Sequence, residues 1–179
     1  MILGLSVAVF TVLHVFLSLL GIGSGLAVVV GILDSKRLPI WTATFLATTV
    51  ATSVTGFLFH SKGLGPPHVV GLISLAVLVV AIVALYTMKL AGNWRLIYVV
   101  TALLALYLNV FVGVVQAFQK IAWLKTLAPK GSEPPFLAAQ LAVLGLFVAI
   151  AIMGTKRFHP QASVSANPNE RTRGKETMS

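Results

Sequence analysis

The stretch that decides the fold is LGLSVAVFTVLHVFLSLLGIGSGLAVVVGIL, residues 3–33, which carries no charge before Asp34. A helix needs about 20 predominantly apolar residues to cross a bilayer, and this run exceeds that length. Its GIGSG segment has the spacing of a phosphate-binding glycine loop. Such a loop follows a strand and opens a helix in a βαβ unit, whereas this one lies inside an apolar run. We therefore interpret the stretch as a membrane-spanning helix. It exceeds the roughly 7–15 apolar residues of a signal peptide, so we expect it to be retained.

The whole chain has the composition of a membrane protein. Of its 179 residues, 58% are hydrophobic and only 9% are charged, against about 25% charged residues in an ordinary soluble domain. The chain has no cysteine, which excludes disulfides, thiolate metal sites and cysteine nucleophiles. The net charge of +9 falls between apolar runs and near the C-terminus, so it indicates orientation in a membrane and no nucleic-acid partner.

Five apolar runs predict an all-α, polytopic integral membrane bundle within one domain, residues 1–158. We expect the five transmembrane helices at about 3–33, 39–60, 69–88, 96–119 and 135–155. Charged, glycine-containing or proline-containing segments separate these runs and mark the turns. Residues 159–179 are polar and lack periodicity, which predicts a disordered, basic cytoplasmic tail.

The distribution of basic residues predicts the orientation. Five spans put the two termini on opposite sides. The side with the C-terminus carries nine Lys and Arg residues, and the other side carries four, namely Lys62, Lys120, Lys125 and Lys130. Basic loops stay in the cytoplasm. We therefore expect a periplasmic N-terminus and a cytoplasmic C-terminus.

Small and hydroxyl residues form stripes on the first two predicted helices. Spacings of three and four residues put them on one face of each helix. Such faces let helix backbones approach closely in membranes. If the hairpin turns between residues 36 and 37, Gly21 lies opposite Ser53 and Gly25 opposite Thr49. The predicted packing seam consists of Ser18, Gly21, Gly25, Thr49, Ser53 and Gly56.

A second group of polar residues lies at a similar depth in the predicted membrane, in the outer half of the bundle. The same hairpin geometry makes His14 and His60 level, and Gln140 enters the fifth helix from that side. Neutral imidazole can ligate haem iron or bond a quinone carbonyl. The candidate cofactors are therefore haem b or a quinone, and the candidate cofactor-binding residues are His14, His60, His68, Asn109 and Gln116.

Catalytic and transport signatures are absent from the sequence. It contains neither G-x-S-x-G nor H-E-x-x-H, and its four acids, Asp34, Glu133, Glu170 and Glu176, all lie in predicted loops or the tail. No predicted span contains Asp, Glu, Lys or Arg, which disfavours ion-coupled transport. We therefore do not expect an enzyme.

Two segments in the second half of the chain have the most distinctive sequences for comparison with known families. They are LYLNVFVGVVQAFQK (106–120) and SEPPFLAAQ (132–140). They resemble a group of small uncharacterised bacterial inner-membrane proteins, over roughly residues 40–158 and more weakly in the first helix. The resemblance implies a helical bundle in the bacterial inner membrane, and it adds no catalytic residues.

Two classes of function remain open at this point. The first is a small accessory or structural membrane protein, or a subunit of a larger membrane complex. Its partners would be the lipid bilayer and other membrane subunits or a second copy. The second is a binding protein for one small ligand, haem b or a quinone, in the outer half of the bundle.

Overall fold

The computed structural model describes residue 2, residues 4–59 and residues 65–159. Within these ranges the regular structure is helical, apart from one antiparallel bridge between Ile2 and Leu5. The predicted all-α class is confirmed for this part of the chain. The helices are α1 (Val7–Leu33), α2 (Pro39–Phe57), α3 (Pro66–Ile82), α4 (Trp94–Lys120), α5 (Ala122–Leu127) and α6 (Pro134–Arg157), and a π-helical turn, Val83–Thr87, extends α3.

The ends of the helices follow local capping chemistry. α1 begins four residues later than predicted, after Ser6, whose Oγ accepts a hydrogen bond from the Val9 amide at 3.3 Å. This is the usual N-cap interaction. α3 begins three residues earlier than predicted, because its first two positions are prolines, which have no amide to leave unpaired there. His60 and the predicted tail beyond His159 lie outside the described residues.

Glu133 occupies the N-cap position of α6. The Glu133 carboxylate accepts hydrogen bonds from the amides of Lys130 and Ser132, both at 2.9 Å. These bonds, chiefly the one from Lys130, hold the pKa of the Glu133 carboxyl below its ordinary value. The charged carboxylate thereby orders the loop that leads into α6.

α4 is the central helix of the bundle. It contacts α1, α3 and α6 and touches α2, while α1 and α2 pack against each other as an antiparallel hairpin. The side chains that fill the space between these helices are fully buried and mostly apolar, including Ile32, Phe45, Val99 and Leu106. Large apolar side chains also cover much of the outer surface, as expected where lipid replaces water.

Among the described residues, four helices are long and apolar enough to cross a membrane: α1, α3 with its π turn, α4 and α6. α2 is not among them, because six threonines and one serine among its 19 residues lower its hydropathy. The fold therefore fits a multi-pass helical membrane protein. The second of the five predicted spans, 39–60, falls on α2, and hydropathy does not confirm it.

Candidate functional site

The register of the α1–α2 hairpin is set by a tight turn. The amides of Asp34 and Lys36 donate to the carbonyls of Val30 and Gly31 at 2.9 and 2.8 Å. The chain therefore reverses as soon as α1 ends, and a side chain on Gly31 would lie 3.0 Å from the Lys36 carbonyl. This early reversal moves the centre of the hairpin toward α1.

The predicted pairing across the hairpin is consequently wrong by about one helical turn. Gly21 lies against Thr49 rather than Ser53, and Gly25 lies against Phe45 rather than Thr49. His14 faces Gly56. The residue numbers of these three observed pairs all average to 35, whereas the sequence analysis placed the turn between residues 36 and 37.

Two glycines of the seam make close contacts with two neighbouring helices. A methyl group on Gly25 would come within 2.5 Å of Leu106 Cδ1 on α4 and 3.0 Å of Phe45 on α2. On Gly21 it would come within 2.9 Å of Asn109 Nδ2 and 3.1 Å of Thr49 Oγ1. The seam therefore joins α1 to both α2 and α4, and the sequence analysis assigned it to α1 and α2 alone.

Asn109 links α4 to α1 near the middle of the bundle. Its Oδ1 accepts a hydrogen bond from Ser18 Oγ at 2.8 Å, and its side chain is 7% exposed. Ser18 was expected to pack against α2. The structure instead directs its hydroxyl to α4, and an interhelical hydrogen bond of this kind typically contributes about 0.6 kcal/mol in a membrane.

Two polar atoms beside this bond have no hydrogen-bond partner in the described part of the chain. They are Asn109 Nδ2 and Thr49 Oγ1, and both approach the same point on Gly21. Thr49 is 1% exposed and Asn109 is 7% exposed, so both of these polar groups are buried. A buried donor or acceptor without a partner costs about 1–3 kcal/mol, which makes this the chemically least satisfied part of the seam.

His14 lies one turn before Ser18 on α1 and is half-buried. Its Nδ1 is hydrogen bonded to Thr55 Oγ1 at 2.8 Å, and its ring packs edge-on against Phe59 with a centroid distance of 5.2 Å. The Thr55 hydroxyl also donates to the Ala51 carbonyl at 2.7 Å. Thr55 thus fixes the orientation of the imidazole, a role that the sequence analysis did not assign to it.

The other two candidate histidines have different surroundings. His60 lies outside the described residues. His68 follows the two prolines at the start of α3, and its Nδ1 accepts a hydrogen bond from the Gly65 amide at 3.3 Å. Its ring lies 5.6 Å from that of Phe57. His68 therefore contributes to the beginning of α3.

Gln116 on α4 and Gln140 on α6 have different surroundings. Gln116 is exposed on α4 and does not share the buried position of Asn109. Gln140 is 8% exposed on α6, where its Nε2 donates to the Phe111 carbonyl at 3.3 Å and its Oε1 has no partner. Gln140 thus joins α6 to α4, at a place separate from the α1–α2–α4 seam.

Ser53, which was assigned to the seam, points toward a third helix. Its Oγ donates to Ser74 Oγ on α3 at 3.3 Å, and Ser74 is buried. The sequence did not predict this role for Ser74, because it is a single serine in an apolar run and forms no stripe with other polar residues at helical spacing. Hydroxyl pairs of this kind connect membrane helices in the absence of water.

Across the described ranges, no group of three or more His, Asp or Glu side chains is arranged to hold a metal ion. Comparison with protein-family models, with curated proteins and with solved structures finds no match to the chain. The functional argument therefore rests on the residues themselves.

Proposed function

We propose that the chain is a five-span protein of the bacterial inner membrane, with its N-terminus outside and its C-terminus in the cytoplasm. In this proposal it acts as a small accessory or structural subunit of a membrane complex. The observation that carries the proposal is a face of small residues on α6 that no other helix in the described ranges covers.

The small-residue face of α6 consists of Ala138, Ala142, Gly145 and Ala149. Spacings of four, three and four residues align them along the helix, opposite the buried Gln140, Phe147 and Gly154. All four are exposed, and nothing lies within 4 Å of the position that a side chain on Gly145 would take. Such a face lets a second transmembrane helix approach closely.

The coverage of α6 agrees with a role in association. In the most apolar 18-residue stretch of α6, only 11% of the residues are buried, against 39% in the corresponding stretches of α1 and α4. Lipid can cover large apolar side chains equally well, but it gains nothing from a row of alanines and a glycine. A partner helix gains close backbone packing from the same row, so we assign the face to a transmembrane helix of another chain.

The local chemistry of α2 supports its assignment as a membrane span, which brings the proposed number of spans to five. The hydroxyls of Thr48 and Thr55 donate to the carbonyls of Thr44 and Ala51, both at 2.7 Å. Hydroxyls that bond to their own helix present little unsatisfied polarity to lipid. α2 also forms a hairpin with α1, so both helices share the same span of the bilayer.

The first test of this proposal is the substitution Gly145→Leu. We expect it to weaken association at least about tenfold, which corresponds to about 1.4 kcal/mol, because a bulky side chain prevents close approach of the partner helix. The apparent mass is measured by native electrophoresis and light scattering after mild solubilisation of membranes. A doubled mass identifies a second copy as the partner, and a larger particle identifies another subunit.

The matched control is Gly23→Leu, the same change on an exposed glycine of α1 with nothing within 4 Å. The control should retain the wild-type mass. A wild-type chain of monomer mass under all mild conditions would contradict the proposed association. So would equal behaviour of the two variants.

The unpaired Asn109 Nδ2 favours a second candidate function, the binding of one small ligand. A quinone carbonyl would give this donor a partner. The Thr55 bond orients His14 at Nδ1, so Nε2 is the nitrogen that would meet haem iron. If this candidate is right, the purified protein shows a haem spectrum, or its lipid extract is enriched in quinone and Asn109→Leu removes the enrichment. A colourless protein without enriched quinone excludes it.

A further inference from the structure

A pocket opens at the end of the bundle where α1 turns into α2. Its volume is about 60 Å³, against about 10–15 Å³ for a single water. The walls come from the turn itself, from the π turn after α3, from the start of α4 and from the end of α6. The lining residues that carry chemistry are Lys36, Arg37, Thr42, Tyr86 and Tyr98.

The inner wall of the pocket contains two buried hydroxyl groups. Tyr98 is 3% exposed and Thr42 is 6% exposed, and both line the pocket. Apolar side chains such as Ile32 and Phe158 surround them. Hydroxyls can donate to an oxyanion, and an apolar surrounding strengthens such a bond.

The mouth of the pocket is positively charged. Lys36 and Arg37 are both exposed there. Asp34 and Lys36 approach to 3.8 Å, and this is the one ion pair within the described ranges. Arg37 therefore has no acidic partner among those residues. Arg95 donates to the Phe158 carbonyl at 2.8 Å and holds the back wall in place.

Backbone strain is concentrated around this pocket. In the described part of the chain, three residues other than glycine have positive φ, namely Ser35 at 57°, Lys89 at 49° and Leu90 at 62°. Ser35 lies in the α1–α2 turn, and the other two follow the π turn. Strained residues cluster at ligand sites, and π-helical turns are frequent at functional positions.

The residues around the pocket favour a lipid over a soluble molecule as its ligand. Tyr86, which lines the pocket, is 56% exposed, and Trp41 in the first turn of α2 is 52% exposed, as aromatic residues are at a membrane interface. Ile40, which is 81% exposed, extends the apolar surface along α2. A ligand seated here would have its charged group in the pocket and its apolar part along the outside of the helix.

We propose that this pocket binds the headgroup of an anionic phospholipid. Arg37 and Lys36 attract the phosphate, the Tyr98 and Thr42 hydroxyls face its oxygens, and the acyl chains lie along Ile40 and Trp41. A basic pocket between transmembrane helices is the chemistry that recognises such a headgroup. The inference rests on the proposed insertion in the membrane, and it is independent of any partner of α6.

The experiment uses the full chain in nanodiscs of phosphatidylcholine with a graded fraction of phosphatidylglycerol, and native mass spectrometry counts the bound lipids. We expect phosphatidylglycerol to be retained in preference to phosphatidylcholine. Arg37→Gln should weaken that retention by about fivefold, the effect of one basic side chain near an anionic lipid surface. Tyr98→Phe, which keeps the ring, should weaken it as well. The matched control is Lys125→Gln at the opposite end of the bundle, which should have no effect.

Three outcomes overturn the inference. The first is equal retention of the two lipids, and the second is equal loss in Arg37→Gln and Lys125→Gln. The third is displacement of the bound lipid by millimolar glycerol phosphate, which would identify a soluble phosphate ester as the ligand. Carbonate extraction of membranes serves as the separate check. A chain released by carbonate contradicts the proposed insertion, whereas a chain that stays inserted without lipid preference contradicts this inference alone.

Discussion

Gly25→Ala is expected to destabilise the bundle, while Gly23→Ala, two residues away on the same helix, leaves it unchanged or stabilises it. The added methyl group on residue 25 meets Leu106 at 2.5 Å and Phe45 at 3.0 Å. Both of these side chains are 1% exposed, so neither can move out of the way without disturbing the core. Inserting a methyl group into a packed core costs about 1–3 kcal/mol.

The control for this experiment comes from the same GIGSG segment. Nothing lies within 4 Å of a methyl group on Gly23, and Ala is about 0.8–1.0 kcal/mol better than Gly inside a helix. Thermal unfolding in detergent, followed by the loss of the monodisperse peak, compares the two variants with wild type. Equal unfolding temperatures for Gly25→Ala and Gly23→Ala would contradict the close packing of α1 against α4.

Asn109→Asp is expected to produce the second large effect. The substitution keeps the size of the side chain and the acceptor for Ser18, but it places a carboxylate at the middle of a spanning helix in a site that is 7% exposed. A charged side chain at the centre of a membrane helix costs about 2.5–3.5 kcal/mol. We expect a lower yield of inserted protein and a lower unfolding temperature.

Gln116→Glu provides the matched control, because it makes the same amide-to-carboxylate change on the same helix. Gln116 is exposed and lies close to the end of α4 at Lys120, where a charge can reach the interface. The control should therefore be affected much less. If both variants insert and unfold alike, Asn109 does not lie in a buried mid-membrane site.

The helices of this protein could be predicted because their signals are local. Long apolar runs, together with prolines at the first positions of α2, α3 and α6, determined where helices begin to within a few residues. The exception is α1, whose start depends on the hydroxyl of Ser6. Apolar residues on both sides of Ser6 concealed that signal.

The relations between helices could be predicted only in part. Spacing identified Gly21 and Gly25 as one small-residue face, but it contained no information about α4, which supplies Asn109 and Leu106 to that face. The register failed because a difference of one or two residues in the turn moves every opposed pair. The basic pocket was missed because Thr42 and Tyr98 are far apart in sequence and each is ordinary in its own helix.

The C-terminal end of α6 is joined to the α1–α2 turn. The His159 amide donates to Ser35 Oγ at 2.7 Å, beside the bond from Arg95 to the Phe158 carbonyl. Chains are synthesised from the N-terminus, and segments fold in that order. The α1–α2 turn is synthesised more than 100 residues before Phe158 and His159, which follow the end of α6. This end of the bundle can therefore close only after α6 has been synthesised.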